Sequence, residues 1–416
     1  MTCYLDYNAT TIMPDRVIQV LLKWATRGNA SSIYPSAKAA KKMMECFKKE
    51  IGEITGLKLD GDDGYDIIFT SGGSESNTWI ITSAVRSYMR LTNKRPHVIT
   101  SNVEHDNIMM MMKNLEAEDV DVTYVPVQKS GPGLGSVDPE DVFKAIRPNT
   151  CIITIMAANN ETGIRNDIKA IGYVAKNKKI PFFTDAVQVF GKEPIRPDDN
   201  NITAFSGSFH KLHGPTGTGV AIVKKSFIKG YQLKALIPGH QNSELRGGTE
   251  CIHNIAAARE AYKITFENRR SKMEEVADLK IYLMRSLARL CDIYYLEDFI
   301  AQKPSPPAIV HITPKDGDQN VLPNTVFISL YFKDICNSLV RQSLADKCVF
   351  ISVGSACKTN DMKSSHVLDA LGVPKSLIPG VIRISLGDYT TKNNIDTFMT
   401  ELYNIIVDKK CFKQST

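Results

Sequence analysis

The sequence predicts an α/β fold in two parts, built on a largely parallel sheet with helices on both faces. Three observations carry this. From about residue 15 to 225, short apolar runs alternate with helical patterns, as in strand–helix–strand units. The runs are bounded by small polar residues, which suits strands buried inside a sheet. Near residue 250 the alternation gives way to a long helical stretch, and strands return only beyond 325, so the 416 residues hold two cores.

Pro14-Asp15 opens a helix that Gly28 closes. Pro35-Ser36 opens the next, which runs to Gly56 with Met43, Met44, Phe47, Ile51 and Ile54 on one face. Ile67–Thr70 reads as a strand, Glu75–Leu91 as a helix and His97–Thr100 as a strand. A helix through Met109–Met112 precedes the strand Val122–Val125, and a helix from Asp138 precedes the strand Cys151–Ile155. Ile180–Thr184, Ile202–Phe205 and Gly217–Val223 are further strands. Residues 252–290 are mainly helical and pass into the smaller domain. Residues 297–324, rich in Pro, Asp, Lys and Asn, read as a long surface excursion. Val326–Leu330, Val349–Ser352 and Val381–Ser385 are strands of the smaller domain.

Composition narrows the function. Hydrophobic residues make up 43% and charged residues 23%, and a net charge of +6 spread over this length does not make a nucleic-acid-binding surface. No apolar stretch approaches the ~20 residues of a membrane span. Nine cysteines occur without a CxxC pair, which gives no support for a metal site. The odd count and the absence of a leader ahead of Tyr4-Leu-Asp-Tyr-Asn-Ala-Thr-Thr11 predict reduced thiols in a cytoplasmic protein.

The chemistry concentrates where apolar runs end, since ligands of such sheets sit at the carboxyl ends of strands. One run ends at Asp185 and the next at Ser206-Gly-Ser-Phe-His-Lys211. This is the set that pyridoxal 5'-phosphate needs: Lys211 for a Schiff base, Asp185 for the pyridinium nitrogen, and Ser208 and His210 for the phosphate. Thr70-Ser-Gly-Gly-Ser-Glu-Ser76 follows a strand and opens a helix, so Gly73 and Ser74 can offer N–H groups to a phosphate. The same residues also suit an ordinary capped helix start. Glu104-His105 follows another strand, where an imidazole can stack on a ring and exchange protons. Asn160, in Asn159-Asn-Glu161, can reach a phenolic oxygen or a carboxylate, or simply build a turn. Cys357, in Gly354-Ser-Ala-Cys357, lies among small polar residues, where a thiolate is accessible. Arg383, on an apolar strand, binds a carboxylate if it faces the cleft, or sits in a structural ion pair.

These segments resemble the cysteine desulfurases, the NifS-like branch of the class V aminotransferases. The resemblance extends in order from Tyr4–Thr11 to Arg383–Gly387 and includes Gly28–Ser31 and Arg246-Gly-Gly-Thr249. It implies a fold-type I pyridoxal-phosphate architecture: a large domain (15–255) with a mainly parallel seven-stranded sheet, and a smaller α+β domain (1–14 and 256–416) carrying the catalytic cysteine. It implies that Lys211 holds the cofactor and shuttles a proton, His105 stacks on the ring, Asp185 holds the pyridinium and Gln188 the phenolic oxygen. Ser74, Ser208 and His210 bind phosphate. Thr249 reaches the phosphate of a partner subunit, making a homodimer. Arg383 and Asn160 bind the substrate carboxylate, and Cys357 takes sulfur from L-cysteine, leaving alanine. The spacing from Cys357 to Val367 implies an extended, mobile loop over Lys358–His366. That loop would deliver sulfur to an acceptor protein, a cluster-assembly scaffold or a tRNA-thiolation factor. Selenocysteine lyase or aminotransferase activity is the alternative on the same scaffold. Phe209, Thr216 and Asp388 depart from the family pattern.

Overall fold

The computed structural model describes residues 2–315, 320–353 and 365–408. Cys357 and the rest of the expected catalytic loop up to Ser364 lie outside the described residues. The chain opens on a two-residue strand, β1 (Cys3–Tyr4). The apolar runs that follow pair into one seven-stranded sheet of β2 (Tyr65–Thr70), β3 (His97–Ser101), β4 (Asp121–Val125), β5 (Thr150–Thr154), β6 (Phe182–Asp185), β7 (Ala204–Ser208) and β8 (Gly219–Lys224). Their order is β2-β8-β7-β6-β5-β3-β4. Only β8 is antiparallel to its neighbours, so it runs against the rest. The carboxyl ends of β2, β3, β5, β6 and β7 therefore meet at one edge, where the polar motifs begin.

The helices form where the sequence marks them. Pro35–Thr55 starts on proline and ends at Gly56, whose φ of 71° suits a left-handed cap. Asp15–Trp24 stops short of Gly28. The helix Ile252–Glu267 runs unbroken through residues 255 and 256, and its Ile255, Ala258 and Tyr262 belong to the apolar cluster around the large sheet.

The smaller unit holds a four-stranded sheet of β9 (Ile293–Tyr295), β10 (Ala308–His311), β11 (Thr325–Tyr331) and, after β12 (Val349–Phe350), β13 (Val381–Ser385), in the order β13-β11-β10-β9. One expectation needs correction here. The stretch 297–324 is not a plain surface excursion. It contributes most of the helix Leu296–Gln302 and all of β10, whose four residues are buried between β9 and β11. Flanking prolines and charges mask that short apolar run in the sequence. As expected, Val349 begins a strand of the smaller unit: β12 pairs with β1 in parallel, and Ser352 just beyond it exchanges backbone hydrogen bonds with Arg383 of β13. This pairing delivers the amino-terminal segment to β13, where the Tyr7 N–H donates to the Ser385 carbonyl at 3.2 Å.

Phe209 resolves one departure from the family pattern. It is fully buried, edge-on to Phe190 at 6.0 Å and tilted against Phe47 at 5.4 Å. The ring fills core beneath the Lys211 turn. Phe209→Ala is expected to cost about 3–5 kcal/mol, read as a large drop in Tm. A drop equivalent to less than about 1 kcal/mol would contradict this packing.

Candidate functional site

A cavity of 320 Å³ opens at the carboxyl edge of the large sheet, between it and β13 of the small unit. It gathers most of the residues singled out in the sequence: Gly73, Ser74, His105, Asn160, Asp185, Gln188, Ser208, His210, Lys211 and Arg383. Most stand at or just beyond the carboxyl end of a large-sheet strand or at the start of a helix, and Arg383 comes from the middle of β13, which is why scattered segments converge.

Asp185 ends β6 and is buried. Its carboxylate accepts the Asn77 side-chain N–H at 2.8 Å and the Val187 N–H at 2.9 Å. Lys211 lies in the one-turn 3-10 helix Phe209–Lys211 that follows β7. Its Nζ donates to the carbonyls of Asn8 at 2.5 Å and Ala9 at 2.7 Å. Burial, with the Arg383 cation added, brings the Lys211 ammonium down to about 8, against the opposing pull of Asp6 and Asp185. Burial and the Lys211 charge bring His210 down to about 4, so it is neutral at pH 7. Its Nδ1 lies 3.2 Å from Thr10 Oγ1.

The helix Gly73–Thr92 begins beside this pair. Its cap residue, Gly72, makes no side-chain cap bond. Thr70 Oγ1 and Ser76 Oγ both donate to the Gly72 carbonyl instead, at 3.0 and 3.2 Å. The helix start thus has a glycine and not a capping serine at its cap position, and the flanking hydroxyls and Glu75 shape the turn around it. Its first N–H groups and dipole are left to a ligand. Glu75 is turned away and held by Arg246 at 3.0 Å. Burial pushes the Glu75 carboxyl up, but Arg246 and the Ser71 N–H together pull it below its ordinary value.

His105 caps the helix Asp106–Ala117, its Nδ1 accepting the Asn107 N–H at 3.2 Å. The ring also lines the cavity. Asn159 is the turn-builder of its pair, accepting the N–H groups of Glu161 and Thr162. Asn160 lines the cavity, and its carbonyl accepts Arg383 Nη1 at 2.8 Å. Arg383 Nη2 donates to Asp6 at 2.7 Å. Arg383 thus faces the cleft and forms an ion pair at once. Its Nε is buried without a partner among the described residues.

Thr249 is exposed and does not line this chain's cavity. His366, expected within the extended loop, begins the helix His366–Ala370, and its Nε2 lies 2.8 Å from the Glu104 carbonyl. Asp388 pairs with His213 at 3.2 Å. Cys251 and Cys348 are exposed.

Four residues escaped sequence reasoning. Asn8 is buried; its carbonyl takes bonds from Lys211 and Gln188, and its side chain bonds Thr325, Asn324 and Lys192. Lys192 is a buried lysine. Asp6 shares Arg383. Glu104 is buried, and burial pushes its carboxyl up to about 8 despite N–H and O–H donors from Met156 and Ser101. Asn8 and Asp6 lie in the Tyr4–Thr11 motif, which was the available signal. Nothing in the sequence marks Lys192.

Residues 3–398 match the family described as aminotransferase class-V. The chain is 33% identical over 407 residues to a protein of Dictyoglomus turgidum named cysteine desulfurase IscS, covering 97% of this chain and 94% of that one. A solved structure named NifS-like protein superposes with a TM-score of 0.83 at 28% identity, covering 98% of this chain and all of the other. A structure named SspA in complex with cysteine superposes with a TM-score of 0.72 at 29% identity, covering 94% of this chain and all of the other.

Proposed function

The chain belongs to the class V aminotransferase family, and on that premise we propose that it is a pyridoxal-phosphate-dependent cysteine desulfurase. The observation that carries this reading is the convergence of Lys211, Asp185, His105 and Arg383 on one cavity. The residues present suit the cofactor. The cavity offers a buried acid, a lysine, an uncapped helix start and buried polar atoms without partners, Asn77 Oδ1 and Arg383 Nε, among the described residues. When bound, pyridoxal phosphate supplies an electron sink that loosens bonds at the α and β carbons of an amino acid.

The chain's own residues then divide the work. Lys211 holds the cofactor's aldehyde carbon and carries a proton, its depressed pKa leaving much of the amine neutral near pH 8. Asp185, kept in place by Asn77 and the Val187 N–H, would hold the ring nitrogen. Gln188 would donate to the phenolic oxygen. Gly73, Ser74, Ser208 and neutral His210 would take the phosphate, and His105 would serve the ring. Arg383 receives the substrate carboxylate, with Asn160 beside it. The Cys357 thiolate accepts sulfur, so L-cysteine leaves as L-alanine and the enzyme gains one sulfur atom. Residues 15–255 serve as the cofactor domain, and 1–14 with 256–416 as the smaller domain. Thr249 serves the phosphate of a second copy, which makes the active unit a homodimer. The sulfur goes on to an acceptor protein of cluster assembly or tRNA thiolation in the cytoplasm. Among the described residues, no helix is long and apolar enough to cross a membrane.

The test is product formation. With L-cysteine and a reductant, alanine and sulfide are expected in equal amounts, with no amino transfer to ketoacids. Amino transfer without sulfide would overturn the reading. Arg383→Lys removes the planar fork that Asp6 and a substrate carboxylate share. KM for L-cysteine is expected to rise about tenfold to a hundredfold, the loss of one charge-assisted hydrogen bond. An unchanged KM would remove Arg383 from the substrate site.

A further inference from the structure

We propose that Lys192 is a positioning residue that fixes the polarity of the Gln188 side-chain amide, so that Gln188 turns N–H, and not C=O, toward Lys211. The inference rests on the reading of Gln188 as a donor to the cofactor's phenolic oxygen. An amide side chain has two ends of nearly equal size, and only its hydrogen-bond partners decide which way it points. Lys192 Nζ donates to Gln188 Oε1 at 3.0 Å and to Asn8 Oδ1 at 3.0 Å. The other end, Gln188 Nε2, donates to the Asn8 carbonyl at 3.1 Å, the same oxygen that Lys211 Nζ reaches. A reversed Gln188 would set N–H groups against the Lys192 amine and a C=O against the Asn8 carbonyl. The contact to the Asn8 carbonyl would be lost, as would that to a Lys192 ammonium, among buried side chains.

The partner oxygen on Asn8 is fixed as well. Asn8 Nδ2 donates to Thr325 Oγ1 at 2.8 Å, and Asn324 Nδ2 donates to Asn8 Oδ1 at 2.9 Å. Asn324 of the small unit and Lys192 thus donate to the same Asn8 oxygen, and Lys192 donates also to Gln188. Burial lowers the Lys192 pKa well below the ordinary lysine value. Even uncharged, the amine keeps two N–H groups, enough for both oxygens. Gly191 delivers it inward: its φ of 85° is left-handed, and a Cβ there would meet Leu212 at 2.9 Å.

The experiment follows the pH midpoint of the visible absorbance of the cofactor-loaded enzyme, without substrate. Gln188→Leu is expected to raise that midpoint by about one unit or more, the effect of losing a hydrogen bond to a charged oxygen. Lys192→Met is expected to raise it comparably, and to add nothing in the Gln188→Leu background. Lys192→Arg keeps donors at this position, and a 30 Å³ space beside it gives room for the larger head, so its midpoint is expected near wild type. A wild-type midpoint in Lys192→Met, with Gln188→Leu shifted, overturns the proposal. So does a Lys192→Arg midpoint displaced as far as that of Lys192→Met. An unshifted Gln188→Leu overturns the reading of Gln188 and the proposal with it. If Lys192→Met does not fold, Lys192→Leu makes the same donor-free comparison.

Discussion

Replacing Lys211 by alanine is expected to lower the rate of alanine formation by at least about a thousandfold, and the purified protein is expected to be colourless or only faintly yellow. On the proposed reading the amine is the attachment point and also the proton carrier, and a positioned acid–base group alone contributes about 10²–10⁴ in rate. The other lysine that reaches this neighbourhood, Lys192, is buried and committed to Gln188 and Asn8. A variant that keeps a tenth or more of the activity would contradict the assignment. The environment of Lys211 also sets a pH dependence. Its cation is disfavoured in the folded protein by burial and by Arg383, which brings its pKa down to about 8. The neutral amine is the form that reacts with an aldehyde, and its fraction grows as pH rises toward that value. Cofactor loading of the cofactor-free protein is therefore expected to accelerate about tenfold per pH unit below 8 and to level off above it. A rate flat between pH 6 and 8 would contradict the burial argument.

Cys357→Ala is expected to stay yellow and to bind L-cysteine, yet to lose at least about a thousandfold in sulfide and alanine production, as removal of a nucleophile does elsewhere. No described thiol can stand in. Burial pushes the thiols of Cys3, Cys151 and Cys291 up to about 11, 12 and 11, which leaves them protonated at pH 7. None of the described cysteines lines the cavity. Retained turnover in this variant would favour selenocysteine lyase or amino-transfer chemistry on the same scaffold.

The large sheet and its site edge were legible in the sequence because each signal is local. A buried strand is a short apolar run, and the polar residue at its end, such as Asp185 after Phe182-Phe-Thr184, falls at the carboxyl edge by the geometry of a parallel sheet. Helix boundaries followed from Pro35 and Gly56 for the same reason. What escaped is made by contacts distant in sequence. β10 is a four-residue run whose place between β9 and β11 is set by pairing. The partner of Val349 is a strand at the other end of the chain. Asn8 and Lys192 look like any polar turn residue and any lysine, and only folding brings them to Gln188 and Lys211. The helix start at Gly73 was ambiguous between capping and anion binding, and the missing side-chain cap favours the second.

The most direct test of the central claim is a single turnover without reductant. The cofactor-loaded protein, mixed with one equivalent of L-cysteine, is expected to release close to one alanine per chain. It is also expected to gain the mass of one sulfur atom, mapped by peptide mass spectrometry to Cys357. Alanine without protein-bound sulfur, or bound sulfur on another cysteine, would contradict the account.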